Sequence, residues 1–379
     1  MSAMQEAWLT LVRAPGLSAL KRRELFSHFG DVHSLLSLSD LQARQFGLRA
    51  DTVGALRKPA IRTLAHDLAW LEQPGRSLIT LDDPAYPQLL ARLADAPVVL
   101  FVEGSAERLN LPCIAVVGSR GATAAGAAFA HALAAEFSRA GLTVVSGLAL
   151  GIDAAAHAGG LAGPGSSAAV LATGLERIYP KQNEALAHQM LEEGGVLLSE
   201  MAPGTPALPA LFPQRNRIIS GLSLGVVVVE ASVQSGSLIT ARLATEQGRE
   251  VFAVPGSIHN PMARGCHHLI RQGAKLVESA QDVLEELKPL LRGEMAEIRE
   301  RVLPRSRRTP RVQAALALPP VLSAEQQQVW DQLGFDPVSI DALVERTGWS
   351  IAALFNQLME WEMDELIDAM PGARYQRRA

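Results

Sequence analysis

Residues 212–256 read FPQRNRIISGLSLGVVVVEASVQSGSLITARLATEQGREVFAVPG. The valine run Val226–Val229 is followed by the turn Ser235-Gly236-Ser237, a helical stretch Leu238–Gln247 and a second apolar run, Val251–Val254. Two short apolar runs separated by one helix predict a βαβ unit with parallel strands buried on both faces. Arg215, Asn216 and Arg217 stand ahead of the first strand, at the start of a predicted helix. Cations there oppose the helix dipole, and a nearby anion relieves that opposition; two solvated surface arginines are the plain alternative. The amides and hydroxyls of Ser235-Gly236-Ser237 suit a phosphate held at a helix N-terminus, or simply cap the helix.

The same alternation extends upstream and downstream. Ile114–Val117, Thr143–Ser146, Ala168–Leu171, Val196–Ser199, Gly225–Val229, Val251–Val254 and Lys275–Val277 read as strands, with helical stretches such as Ala124–Ala140 between them. This predicts an α/β domain: a Rossmann-like, doubly wound, mostly parallel sheet over residues 81–288. Residues 1–80 read as short helices, with Trp8, Leu11 and Val12 on one face and turns at Pro15-Gly16 and Gly30-Asp31. They predict a helical domain of the SAM-like or helix-hairpin-helix type, which grips nucleic-acid backbone or serves as a docking spacer. Residues 289–321 carry five prolines and a basic cluster, Arg305, Arg307, Arg308 and Arg311, and read as a linker. Residues 322–379 read as a winged-helix-like domain, with Ser339–Thr347, Gly348-Trp349-Ser350 and Ile351–Trp361 as the helix-turn-helix and Glu365–Gln376 as the wing.

Composition narrows the class. With 48% hydrophobic and 20% charged residues, the chain can build a large core without disulfides, and Cys113 and Cys266 are its only cysteines. That predicts a reducing, cytoplasmic setting and no cysteine-built metal site. No signal peptide or uninterrupted membrane span is legible. The net charge of −4 means that any nucleic-acid footprint is local.

The glycine loops carry the chemistry. Gly118-Ser119-Arg120-Gly121 follows the first strand, the usual phosphate corner of such a sheet. Its spacing is wrong for a dinucleotide fingerprint, and the second strand ends in Ser146-Gly147 rather than an acid. Asp153 and His157 read as a loop-ordering or capping group and a structural histidine. Lys181 is expected near Arg120, and Tyr179 is expected to pack or to stack on a base, with packing favoured. No Walker-type loop, zinc motif or nucleophile elbow is present. Glu200 and Glu230, each at a strand end, lack an evident partner. The expectation is therefore an anion-binding module with no catalytic residues, metal or cofactor.

These loops, in this order, resemble the DNA-processing protein A family (DprA, also called Smf). The likeness rests on Gly118-Ser119-Arg120, on residues 146–153, on Tyr179-Pro180 with Asn183, on Ser199-Glu200, on Phe212-Pro213 with residues 215–219, on residues 235–241, and on Val254-Pro255-Gly256. The resemblance implies a homodimeric single-stranded DNA-binding protein of natural transformation, which protects incoming strands and loads the RecA recombinase. It implies that Arg120 and Lys181 hold DNA phosphates, that Arg215–Arg217 and Ser235–Ser237 complete the pocket, and that the dimer surface lies near Gly265–Gly273. A second reading is a nucleotide phosphoribohydrolase of the lysine-decarboxylase-like group. That group places a catalytic Glu close behind its glycine turn, whereas here the next acid is Glu246.

Three positions depart from the family pattern: His267, Glu176, and Met363-Asp364-Glu365 in the wing. The last belongs to an acidic tract. From Ser323 to Met370 there are ten acids and one base, Arg346, a net −9. Phosphate repels such a surface, so the helix-turn-helix is expected not to read duplex DNA and to serve a protein partner or a structural role.

Overall fold

The computed structural model describes residues 3–302, 323–333, 338–350, 353–354, 357–358, 361, 366–370 and 374–377. The chain divides into two compact units, residues 1–303 and 304–379.

The first unit opens with helices α1 (Ala3–Arg13), α2 (Ala19–Phe29), α3 (Val32–Leu36), α4 (Asp40–Gln45), α5 (Ala50–Arg57) and α6 (Ile61–Leu71). Their boundaries follow local chemistry. Ser18 and Asp31 accept from backbone amides at the starts of α2 and α3, and Ser39 with Gln42 forms a reciprocal capping box on α4. Trp8 and Leu11 are fully buried, as the spacing predicts.

The sheet then forms from β1 (Arg76–Thr80), β2 (Val99–Gly104), β3 (Cys113–Val117), β4 (Thr143–Ser146), β5 (Ser167–Leu171), β6 (Val196–Ser199), β7 (Gly225–Val228), β8 (Glu250–Ala253) and β9 (Lys275–Leu276). Their spatial order is β1-β2-β6-β5-β4-β3-β7-β8-β9. The seven strands from β6 to β9 in that order are parallel, whereas β1–β2 and β2–β6 are antiparallel. Helices α7 (Gln88–Ala91), α8 (Ala124–Arg139), α9 (Ile152–Gly160), α10 (Glu184–Glu192), α11 (Leu211–Leu222), α12 (Gly236–Glu246), α13 (Arg264–Arg271) and α14 (Ala280–Val302) complete the unit.

Side chains alternate across the sheet with the period of two that a strand imposes. Cys113, Ala115 and Val117 of β3 join a core with Ile218, Ala241 and Cys266 from α11, α12 and α13. Ile114 and Val116 join the opposite core with Phe137 of α8 and Leu287 of α14. At the far end of the sheet a further core packs Trp8, Leu11, Leu25 and Trp70 against Phe101, Ala169, Leu171 and Leu197.

Two expected boundaries change. The segment assigned to a helical domain, residues 1–80, ends its helices at Leu71; β1 belongs to the sheet, and the N-terminal helices share the sheet's core. The segment assigned to a linker, residues 289–321, begins inside α14, which continues past Pro289 to Val302. A proline removes one helical hydrogen bond, while Val283 and Leu287 hold the preceding turns in the core. The rest of the linker, residues 303–322, lies outside the described residues.

The second unit contains α15 (Ala324–Gln332), β10 (Val338–Ser339), α16 (Ile340–Thr347), β11 (Ile367–Met370) and β12 (Arg374–Arg377), with an antiparallel sheet in the order β10-β12-β11. Its core holds Leu343, Leu354, Leu358, Trp361, Ile367 and Tyr375. This is the expected winged-helix arrangement; much of residues 351–361 and all of Met363-Asp364-Glu365 lie outside the described residues. Among the described residues no helix is long and apolar enough to cross a membrane.

Candidate functional site

β3 pairs in parallel with β4 on one side and β7 on the other, so the order in which strands are added reverses at β3. Ligands of open α/β sheets lie at such a switch point, outside the carboxyl ends of the strands. A cleft of 610 Å³ opens there, lined by Gly118, Ser119, Arg120, Ala149, Asp153, Tyr179, Phe212, Arg215, Asn216 and the Ser235–Ser237 turn.

Its floor holds two buried groups of opposite charge, Arg215 and Asp153, each acting on the other's titration. Arg215 emerges from α11 with one guanidinium nitrogen donating to the Val170 carbonyl at 2.5 Å, and its buried Nε finds no acceptor among the described residues. Burial lowers its pKa to about 10, Asp153 raises it and Arg120 lowers it further, so Arg215 stays charged at neutral pH. Gly147 makes room for it: a Cβ there would lie 2.0 Å from the guanidinium. Asp153 accepts from the Gly147 amide at 3.1 Å; burial raises its pKa and Arg215 opposes that rise.

Asp153 thus orders its loop, and His157 is structural, as expected. The Leu148 amide donates to His157 Nε2, His157 Nδ1–H to Ser167 Oγ, and the Ser167 hydroxyl to the Val144 carbonyl. Burial, then Arg215, holds His157 down to about 3 from 6.5, so it is neutral in the fold. A base with a depressed folded pKa contributes stability that is complete above its unfolded pKa and lost as pH falls through the folded one. Unfolding free energy should therefore fall between about pH 6.5 and 3 by up to about 1.4 kcal/mol per pH unit from this group. Urea titrations at pH 7, 5.5 and 4 should show a flatter decline for His157→Gln; equal slopes would exclude the assignment.

The walls carry the available positive charge. Arg120 is exposed, lies 5.7 Å from the Phe212 ring centroid and has no carboxylate partner among the described residues. Phe212 in turn meets Tyr179, ring centroids 5.5 Å apart. Opposite them α12 begins: Ser235 is its N-cap, accepting from the Ser237 amide at 3.3 Å, and the two hydroxyls are 2.6 Å apart. The Ser-Gly-Ser turn caps the helix, and the same turn lines the cleft, where the positive end of the helix dipole lies.

Arg217, Ser146 and Lys181 lie outside the cleft lining, and the helix start behind the Gly118–Gly121 turn is already occupied. The Gly118–Gly121 turn leads into α8, but the amide and hydroxyl of Thr123 at that helix start already donate to Glu230, at 2.9 and 2.7 Å. Gly126 makes room for the same carboxylate, which a Cβ would approach to 2.4 Å. An internal anion thus fills the usual phosphate corner, leaving the α12 terminus open. Arg217 lies outside the cleft and is buried; one of its guanidinium nitrogens donates to both oxygens of Glu200 at 2.9 Å, and its Nε lies 3.0 Å from Asp95. Ser146 is fully buried and donates to the Val116 carbonyl at 2.6 Å, serving the strand ends rather than the cleft. Lys181 is exposed on a 3-10 turn, Lys181–Asn183, beyond the Tyr179 rim and outside the cleft lining. Conversely Tyr179, expected to pack, is 48% exposed and lines the cleft with Phe212, which no sequence motif singles out for a role.

A second depression, of 780 Å³, lies between α12 and α13, lined among others by Leu238, Arg242, Glu246, Leu269 and Gly273. Among the described residues no cluster of three or more His, Cys, Asp or Glu side chains has the arrangement of a metal site.

Comparison with known proteins places this geometry. Residues 77–288 match the family model described as DNA recombination-mediator protein A, and residues 313–373 match the DprA winged helix domain. Protein Smf of Escherichia coli (strain K12) is 42% identical over 312 residues, spanning 82% of this chain and 80% of the relative. The X-ray structure of DNA processing protein A from Streptococcus pneumoniae superposes with a TM-score of 0.67 at 38% identity, covering 74% of this chain and 97% of that one. DNA processing protein A from Helicobacter pylori, whose structure is described as giving insight into a unique single-stranded DNA binding mode, has a TM-score of 0.51 at 27% identity, over 56% of this chain and 96% of that one.

Proposed function

The chain belongs to the DNA recombination-mediator protein A family, and we propose that it is a single-stranded DNA-binding mediator that holds the strand's backbone in the switch-point cleft without cutting it. The observation that carries this reading is the convergence of exposed Arg120, the charged Arg215 of the floor and the α12 N-terminus on one opening. Nearby acids are already engaged: Asp153 orders its loop, Glu200 pairs with Arg217 and Glu230 caps α8. Glu246 is the last residue of α12, about 13 Å along the helix from Ser237. That leaves a phosphoribohydrolase without a base at the glycine turn.

In this reading the protein works in the cytoplasm, protects incoming strands during natural transformation and loads RecA onto them. It acts as a homodimer through α13 and the adjoining depression, where Leu238 and Leu269 supply apolar surface and Arg242 and Glu246 supply charges. Lys181 extends the phosphate path beyond the cleft rim. The acidic second unit takes a protein partner or a structural role and does not read duplex DNA.

Arg120→Ala should weaken binding of single strands by about 10- to 100-fold, the value of one charge-assisted contact, to a similar degree across sequences. The slope of log affinity against log salt should shrink by about 0.7, one phosphate's share for a single strand. Gel shifts at several salt concentrations check both numbers, and a duplex probe should bind more weakly than the single strand. Unchanged binding, or rapid release of free base from nucleoside monophosphates by the wild type, would refute the proposal.

A further inference from the structure

The loops that follow neighbouring strands β6, β5 and β4 each present one large apolar side chain to solvent: Leu208, Tyr179 and Leu150, exposed by 48%, 48% and 38%. Neighbouring strands are about 4.8 Å apart, so these loops stand side by side along the carboxyl edge. They are also bonded to one another. Asn183, in the loop that bears Tyr179, donates to the Leu148 and Ala149 carbonyls at 2.9 and 3.0 Å. The Gly174 amide, at the start of that loop, donates at 3.0 Å to Thr205, three residues before Leu208. The result is a braced ledge. It borders the cleft, because Ala149, Tyr179 and Pro209 are themselves lining residues.

We infer that this ledge is the base-binding half of the site: the bases of a single strand lie on Leu150, Tyr179 and Leu208 while its phosphates are held in the cleft. This rests on the single-strand reading given above and assigns the path of the strand, from the switch point across β4 and β5 toward β6. A polymer that alternates anion with flat apolar surface fits a cationic cleft with an apolar ledge on one side. Tyr179 supplies the stacking face. Phe212 props its ring and at the same time lies under Arg120, so one aromatic side chain positions both the base contact and the phosphate contact. Aliphatic neighbours carry no hydrogen-bonding pattern, so the ledge favours any base over none and distinguishes bases weakly. Base stacking on an aromatic side chain contributes on the order of 5- to 150-fold to affinity per base.

The test measures affinity for a thymidine oligonucleotide and for an abasic strand of the same length, using wild type, Tyr179→Ser, Leu208→Ser and Arg120→Ala. These positions are solvent-facing, and thermal melts verify that each variant is folded. The wild type should prefer the base-bearing strand by at least fivefold. Tyr179→Ser and Leu208→Ser should erase most of that preference while leaving the abasic affinity unchanged, whereas Arg120→Ala should weaken both strands together. Retention of the full preference by both ledge variants would overturn the ledge assignment alone. So would a ledge variant that alters self-association with base preference intact, since the surface would then belong to a second copy. Failure of the wild type to bind either strand, or indifference of both strands to Arg120→Ala, would instead remove the single-strand reading itself.

Discussion

Arg215→Met is expected to lower the free energy of unfolding by about 3–5 kcal/mol, the loss typical of leaving a buried charge without its compensating partner. The variant leaves Asp153 buried with two backbone donors and no countercharge. The penalty should depend on pH, and the sign follows from the carboxyl group. Burial raises the pKa of Asp153 above 3.8, and Arg215 restrains that rise. A group whose folded pKa is raised stabilises the fold below its unfolded pKa, and that contribution is lost as pH climbs through the folded pKa. Without Arg215 the folded pKa moves higher still, so the gap between variant and wild type should be smallest near pH 4 and widen toward neutrality. Urea unfolding at pH 4, 5.5 and 7 measures it, and adding Asp153→Asn should remove the widening. A gap that does not vary with pH would show that Asp153 does not feel Arg215.

Arg217→Met should be comparably destabilising, again by about 3–5 kcal/mol, yet leave the affinity of the folded molecule for single strands within about twofold. Its partners explain the contrast. Glu200, with 8% of its side chain exposed, loses both of its 2.9 Å contacts. Arg22 of α2 feels the change too: burial lowers its pKa, and Glu200 and Arg217 act on it with opposite signs. The cluster therefore bears on the junction of the N-terminal helices with the sheet. Chemical unfolding gives the stability loss, and single-strand binding by the fraction that remains folded gives the affinity. A tenfold loss of that affinity would return Arg217 to the DNA site.

The separation of these two arginines was legible in the sequence. Residues two apart on a helix do not share a face, so Arg215 and Arg217 cannot both look into one cleft. The parallel sheet was legible because its strands are short apolar runs between helices, and Val226–Val228 are fully buried. The hairpin strands β1 and β2 were not. Leu81–Pro97, with Asp82-Asp83-Pro84 and a short helix, separates them like ordinary loop sequence, and β2 finds its second partner only in β6. Glu230 was visible as a strand-end acid, but its role depends on Thr123, 107 positions away. The aromatic pair Tyr179 and Phe212 is likewise a product of tertiary packing between the β5 loop and α11.

The pairing of β2 with β6 sets an order of events during synthesis. Glu103 faces Leu197, made 94 positions later. At about 5–20 residues per second the ribosome needs roughly 5–20 s to supply that partner. Until then the surface of the first helices that ends against Ala169, Leu171 and Leu197 has no sheet to cover it. The earliest helices made are thus among the last to be sheathed, and the unfinished chain presents Trp8, Leu11 and Trp70 to whatever protects nascent polypeptides.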